Sequence, residues 1–559
     1  TLSGHYLASR FAQRHYDWAN ATRFGNQVLS YTPDDLETQR RLMVLAMGAG
    51  DIETSLKLAK SVIQQESDNS LAHLFLAMNA IKNGQYEDAQ TNMAKMSPDS
   101  LSPLISPVLD GWIKTATGQE IPANDLNNNL MHLYHHALML ITRGEDSKVA
   151  SLLNNSIAGE PLPPTESLRF GEIYAHIGET TKAEELFKYA LELSPDNETA
   201  SKALTNLEKY QKSPDNNDLK SLFPVPTDYA HNIASVLLDM AQLLYQEQSD
   251  ESARVFGYLA LYLNDKNDDT TMLLGLLMSR NNQYDTALTL YQSIPQGSEN
   301  YLYAQQLLAA IHEQQGDSAL ALSTLKSLVE IHNDVDAFLQ IGDIYRREEK
   351  FSSAIEYYNK AQKTLGDNVP PEYWQLYYAR GMSYEQSGKW DLAEADLQTA
   401  LEYEPDQPFV LNYLGYSWAD QGINLKESLE MIERAVGLRP DDGYIADSLG
   451  WVLYRMKNYA DAIPHLERAV ELEPYDPTIN DHLGDAYWQV GRKLEARFQW
   501  ERAKNHTEDQ DLIAAIDQKM QSGLSDIAEN QTESKAAQAS TDNGHMPVAE
   551  IQNDQSKIR

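Results

Sequence analysis

The chain has 559 residues, 45 basic and 82 acidic, giving a net charge of −37 that would repel a phosphate backbone, so nucleic acid is a poor partner. It has no cysteine, which removes disulfides, thiolate metal sites, thiol catalysis and cysteine acylation. Apolar residues make up 42% and aromatics 9%, with 31 tyrosines, enough for a continuous core, yet no run of about 18 apolar residues could span a membrane.

Anchor residues recur along the chain at a near-constant interval. Ala8, Met43, Ala77 and Gly111 open the ladder, the Gly111 unit being short and degenerate, and Ala137 and Gly171 follow 34 residues apart. Gly171 leads Tyr174, Gly178, Ala183, Phe187, Ala190 and Pro195, a full repeat. The next anchor, Ala241, stands 70 residues on, and the stretch between contains SPDNNDLKSLFPVPTD from Ser213 to Asp228. Three prolines among Asn and Asp predict an extended connection there, either a long loop of one superhelix or a hinge between two arrays.

Ala241, Gly275, Ala309 and Gly342 resume the ladder at 34, 34 and 33 residues, leading to Ala253, Ala287, Ala321 and Ala354. The pattern is clearest at Gly381, Gly415, Gly450 and Gly484, spaced by 34, 35 and 34. One helical turn after each stands Tyr384, Trp418, Leu453 or Tyr487, as a buried stripe requires. A second helix then carries Ala393, Ser428, Ala462 and Ala496, next Leu397, Ile432, Leu466 and Trp500, and next Ala400, Ala435, Ala469 and Ala503. Pro405, Pro440 and Pro474 close the first three units. An extra residue in 421–426 lengthens one turn. Pro464, inside an expected second helix, predicts a late start or a local bend. The fourth unit runs on to a capping helix around Leu512 to Met520, and from 523 the polar composition predicts a disordered tail.

A 34-residue period of paired helices with small residues at the close approaches is the signature of a tetratricopeptide-repeat (TPR) solenoid. The expected fold is therefore all-α, a superhelix of about thirteen helical hairpins. Its expected divisions are 1–211, a degenerate N-terminal array; 212–228, the connection; 229–522, a C-terminal array with its cap; and 523–559, the tail. Such a fold presents a curved surface to another protein and needs no catalytic pocket.

No phosphate-cradling glycine loop, H-E-x-x-H helix, nucleophile elbow or calcium loop occurs, so no enzyme, cofactor or metal is expected. His135 and His136 are adjacent and cannot both ligate one metal from a single helix face; they read as ordinary helix residues. Among 82 acidic residues a close carboxylate pair carries no catalytic meaning.

The expected binding surface is the concave face lined by each first helix, at three and six residues before the anchor glycine and one and four after it. On the four clear repeats these positions give Tyr378, Asn412, Tyr416, Asp447, Trp451, Tyr454, Asp481, Asp485 and Trp488, with Tyr413 and Tyr444 beside them. Rings beside Asn and Asp suit an extended peptide or a partner's helix. Asn412 and Asp447 are expected to face solvent in the groove. Clamps that grip a peptide carboxylate use lysine, arginine and asparagine here; aspartates and aromatics favour a basic or neutral ligand instead.

The stretch from Leu411 to Ala503, with its GYS and DSLGW segments, resembles a bacterial family of large tetratricopeptide envelope proteins, and LSGHYLASRFAQ from Leu2 to Gln13 resembles the mature start of alphaproteobacterial members. Gammaproteobacterial relatives include an outer-membrane lipoprotein adaptor that wraps a carboxyl-terminal processing protease. The resemblance implies a periplasm-facing adaptor that presents substrates to such a protease. The alternative is a structural or assembly factor for an envelope machine such as polysaccharide export or outer-membrane biogenesis. The lipobox cysteine of the lipoprotein members is absent, and a start at Thr1 suggests a removed presequence. Cytoplasmic residence is the alternative location, and partner identity and oligomeric state stay open.

Overall fold

The computed structural model describes all residues except 97–103, 122–125, 127–128, 158–160, 195–196, 215–217 and 525–559. The closing Pro195 and nearly all of the expected polar tail therefore lie outside the described residues. Those described form thirty α-helices and no strand. They belong to two compact units, Thr1–Ile311 and, as far as it is described, 312–524. Residues 212–228, expected to join two arrays, lie inside the first unit.

Every anchor from Ala8 to Gly484 falls inside a helix. In the four clear repeats all twelve second-helix positions predicted to be core, from Ala393 to Ala503, are completely buried. The anchor glycines are there because the helices meet too closely for a side chain. A Cβ on Gly450 would lie 2.4 Å from Leu466 Cγ, and one on Gly484 would lie 2.5 Å from the Trp500 indole. The turn inside a hairpin follows one recipe. In 452–458, for example, Lys457 takes a left-handed φ of 64° and Asn458 N–H reaches back to Leu453 O at 2.9 Å, satisfying carbonyls that the helix end leaves open. The lengthened turn at 421–426 needs two left-handed residues, Gly422 and Asn424.

Pro464 behaves differently from expectation. Its helix, Tyr459–Leu472, starts on time and continues through the proline. Both Pro464 and Ala460, whose carbonyl loses its donor, are exposed, so water can satisfy the freed group. The cap extends over Gln510–Ser522 and buries Ile516.

The connection in the first unit is anchored. Helix Glu198–Lys212 precedes it, and a single turn, Leu219–Leu222, sits within it. Phe223 is buried, stacks on Phe187 at 5.8 Å, and accepts a hydrogen bond of 2.8 Å from His176 Nδ1.

The chain of the first unit also returns on itself, which the repeat period gives no hint of. Helices Tyr229–Gln246 and Asp250–Leu263 dock on the early hairpins. Arg254 is buried and donates to Gly48 O, the last residue of helix Leu36–Gly48, and to Tyr16 O at 3.1 Å, with its guanidinium 5.0 Å from the Trp18 ring. A cation at a helix C-terminus meets open carbonyls and the negative end of the dipole. Tyr262 donates to Asn79 Oδ1 at 2.9 Å. Asp239 takes a two-point ion pair from Arg169 at 2.6 and 3.2 Å and lies 3.4 Å from His135 Nε2, while Trp112 donates to His135 Nδ1. His135 and His136 are thus buried packing residues. Burial holds the His135 imidazole below its ordinary pKa in spite of Asp239.

Candidate functional site in the second unit

The first helices of the last hairpins are Trp374–Gln386, Pro408–Gln421, Gly443–Arg455 and Pro477–Gln489. The last three approach one another more closely than their second helices do, which places them on the inner side of the curve. Side chains there meet across neighbouring helices.

At one end Tyr378 and Tyr413 pack edge to face at 5.9 Å, and Tyr413 donates to Glu385 Oε2 at 2.6 Å. Burial, and then the Glu385 charge, push the Tyr413 phenol well above its usual pKa. Burial also raises Glu385, against the hydrogen bond from Tyr413. Tyr416 follows, its phenol raised by burial and by Asp420 and Asp447. Next comes a three-ring stack: Trp451 lies flat on Tyr454 at 4.9 Å and on His482 at 3.9 Å, with the Arg455 guanidinium 5.9 Å from the Trp451 ring. His482 Nδ1 stands 2.9 Å from Asp447 Oδ2. Although burial opposes the charge, Asp447 and the nearby Asp481 and Asp485 raise the His482 pKa above 6.5. The Trp451 Nε1 donor is buried and finds no acceptor.

At the other end Lys519 of the cap bridges Asp481 at 2.6 Å and Asp485 at 2.9 Å, and Asp485 also accepts from Trp500 Nε1 at 2.8 Å. Burial lifts the Asp485 carboxyl to about 6, with Lys519 pulling it down. Gly523 closes over Trp488, where any Cβ would strike the ring at 2.0 Å.

The residues singled out from sequence thus separate by burial into three groups. Tyr378, Tyr413, Tyr416, Trp451 and Tyr454 form a half-buried aromatic row along the inner side. Asn412, Asp447, Asp481 and Asp485 do not face solvent: they are 1%, 5%, 8% and 6% exposed. Asn412, Asp447 and Asp481, each three before a glycine, and Asp485, one after Gly484, are covered by neighbouring elements, and the three aspartates are spent on His482 and Lys519. Trp488 is covered by the cap, and Tyr444 packs on the core between the last hairpins. Sequence reasoning missed His482 and Lys519, since each acquires its role from a helix about 35 residues away in the chain. It also missed Arg434 and Arg502, which donate to Pro405 O and Pro474 O and brace the turns at the closing prolines. Their 34-residue step, with Arg468 between them, was a readable signal.

Tetratricopeptide-repeat models match residues 168–197, 335–364, 374–407 and 447–508. The chain carries tetratricopeptide repeats. A TPR repeat-containing protein of Pseudomonas aeruginosa is 36% identical over 121 residues, 21% of this chain and 20% of its own length. Another from Methanocaldococcus jannaschii is 25% identical over 297 residues, 51% of each chain. The match thus spans about a fifth of one curated relative and half of the other. Among solved structures, that of the APC/C hetero-tetramer Cut9-Hcn1 is 14% identical with a TM-score of 0.40, covering 88% of this chain and 96% of that one. TPR folds are scaffolds for protein–protein interaction, and no helix among the described residues is long and apolar enough to cross a membrane.

Proposed function

We propose that the second unit holds an extended protein segment along the row Tyr378, Tyr413, Tyr416, Trp451 and Tyr454. The observation that carries this reading is the row itself: five large rings on the first helices of three successive hairpins stay only half-buried, while the second-helix core positions behind them are completely buried. Aromatic rings give a ligand much contact area at low rotamer cost, and the unpaired Trp451 indole N–H supplies a donor for a backbone carbonyl if the stack shifts. Glu385 and Asp420 at the edge favour a neutral or basic segment over an acidic one.

We further propose that the chain acts as a non-catalytic adaptor in the bacterial envelope, periplasm-facing, presenting substrates to a carboxyl-terminal processing protease. The likeness of residues 411–503 to the envelope tetratricopeptide family supports this. A photo-crosslinking amino acid at Tyr416, introduced in living cells, tests it. Envelope proteins including such a protease should be crosslinked, and Trp451→Ala should weaken the capture. Capture of cytoplasmic proteins alone would overturn the envelope assignment, and unchanged capture by Trp451→Ala would overturn the site.

A further inference from the structure

The first helix, Leu2–Arg14, has a character opposite to the rest of this acidic chain. It contains no acidic residue, and it exposes Leu7 and Phe11 at 65% and 66%, one turn apart on the same face, with Leu2 and Tyr6 close behind. Isolated exposed apolar residues are ordinary, but contiguous ones bordered by charge mark an interaction site. Between this helix and the next, Trp18–Tyr31, runs a depression of about 430 Å³ whose apolar walls are Leu7, Phe11 and Phe24.

Around it stand cations without counter-ions. Arg10, Arg14 and Arg23 are exposed and make no ion pair among the described residues; Arg23 lies 4.7 Å over the Phe24 ring. Arg41, 5.4 Å from the Tyr6 ring, lies on the other flank of the helix, where it donates to Ser9 Oγ and Gln13 Oε1; burial and Arg10 lower its pKa against Tyr6 and Glu37. In a chain with 82 acidic residues, arginines left unpaired together are the exception. The one carboxylate in the depression, Asp17, is occupied in capping helix Trp18–Tyr31 through Asn20 N–H and Nδ2.

We propose that the groove between helices Leu2–Arg14 and Trp18–Tyr31 is a second binding site, which takes an amphipathic helix of a protein partner whose apolar stripe is flanked by carboxylates. A furrow between two helices is the form that receives a third helix in a tetratricopeptide stack; here Leu7 and Phe11 form a wall, Arg23 lines the furrow, and Arg10 and Arg14 stand one turn beyond Leu7 and Phe11 on the same helix. An anionic lipid surface fits less well, because it is flat and would meet a chain of net charge −37. The same helix of a second copy would set arginine against arginine. This site shares no residue with the aromatic row of the second unit and stands or falls independently of it.

The test uses the full chain and a fluorescent helix-forming peptide of about 18 residues, five turns, with leucines at i, i+3 and i+7 flanked by glutamates. Saturable binding is expected, weakened about tenfold by Phe11→Ser and by Arg14→Glu, and weakened by salt. Both residues are exposed, so the melting temperature should stay constant in each variant. A lysine-for-glutamate version of the peptide should not bind. Equal binding of the two peptides, or indifference to both substitutions, would overturn the proposal. Binding to phosphatidylglycerol vesicles, or self-association, that is lost in the same variants while the acidic peptide does not bind would likewise overturn it.

Discussion

Asp447 shows how a residue expected to touch a ligand comes to hold the structure together. It reaches across to His482, keeps that ring under Trp451, and raises its pKa above 6.5 against the effect of burial. A raised histidine pKa contributes stability that is fully present below the unfolded value of about 6.5 and is lost as pH rises through the folded value. Asp447→Ala should therefore destabilise the second unit by about 1–3 kcal/mol near pH 6 and by less near pH 9. Urea unfolding of both proteins at the two pH values measures this; an effect that grows with pH would show that the pair is not ionic. Asn412→Ala likewise removes a buried amide and is expected to lower the melting temperature.

Helices in this fold are stabilised chiefly by what they pack against, so a single side chain at the hairpin contact matters. Ala462 is completely buried, and its carbonyl oxygen lies 3.3 Å from where a Gly450 Cβ would be. Ala462→Leu adds volume where neither helix can retreat and should cost about 1–3 kcal/mol, read by chemical denaturation. The cap behaves as a separable element. Its Lys519 is the only cation paired with Asp481 and Asp485 among the described residues. Lys519→Met would leave two buried carboxylates without their cation, Asp485 keeping only the Trp500 N–H, at a cost of about 3–5 kcal/mol. Hydrogen exchange should then speed up across Gln510–Ser522 before the preceding hairpins respond.

On the scale of the whole chain, each unit has its own logic. In the first, the return of Asp250–Leu263 onto the early hairpins turns a stack of neighbours into a body with long-range contacts, and Arg254 is its pin. Arg254→Met should raise amide exchange at the C-terminal turn of Leu36–Gly48 and cost about 1.5–3 kcal/mol, the usual worth of hydrogen bonds to a charged group. Unchanged exchange there would mean that packing alone holds the docked helices.

Sequence alone determined the repeat, the helix pairing and the buried positions, because a solenoid writes its core as local spacing: Ala393, Leu397 and Ala400 recur as Ala462, Leu466 and Ala469. It also singled out the rings of the aromatic row, since positions three before, one after and four after the glycine share a helix face. Only the tertiary structure decided which groove positions are open. Burial between adjacent first helices depends on how closely the hairpins stack, and the partners of Asp447, Asp485 and Arg254 lie 35, 34 and 206 residues away. Contacts at such separations leave no period in the sequence, because each is made once and by side chains whose types are common throughout the chain.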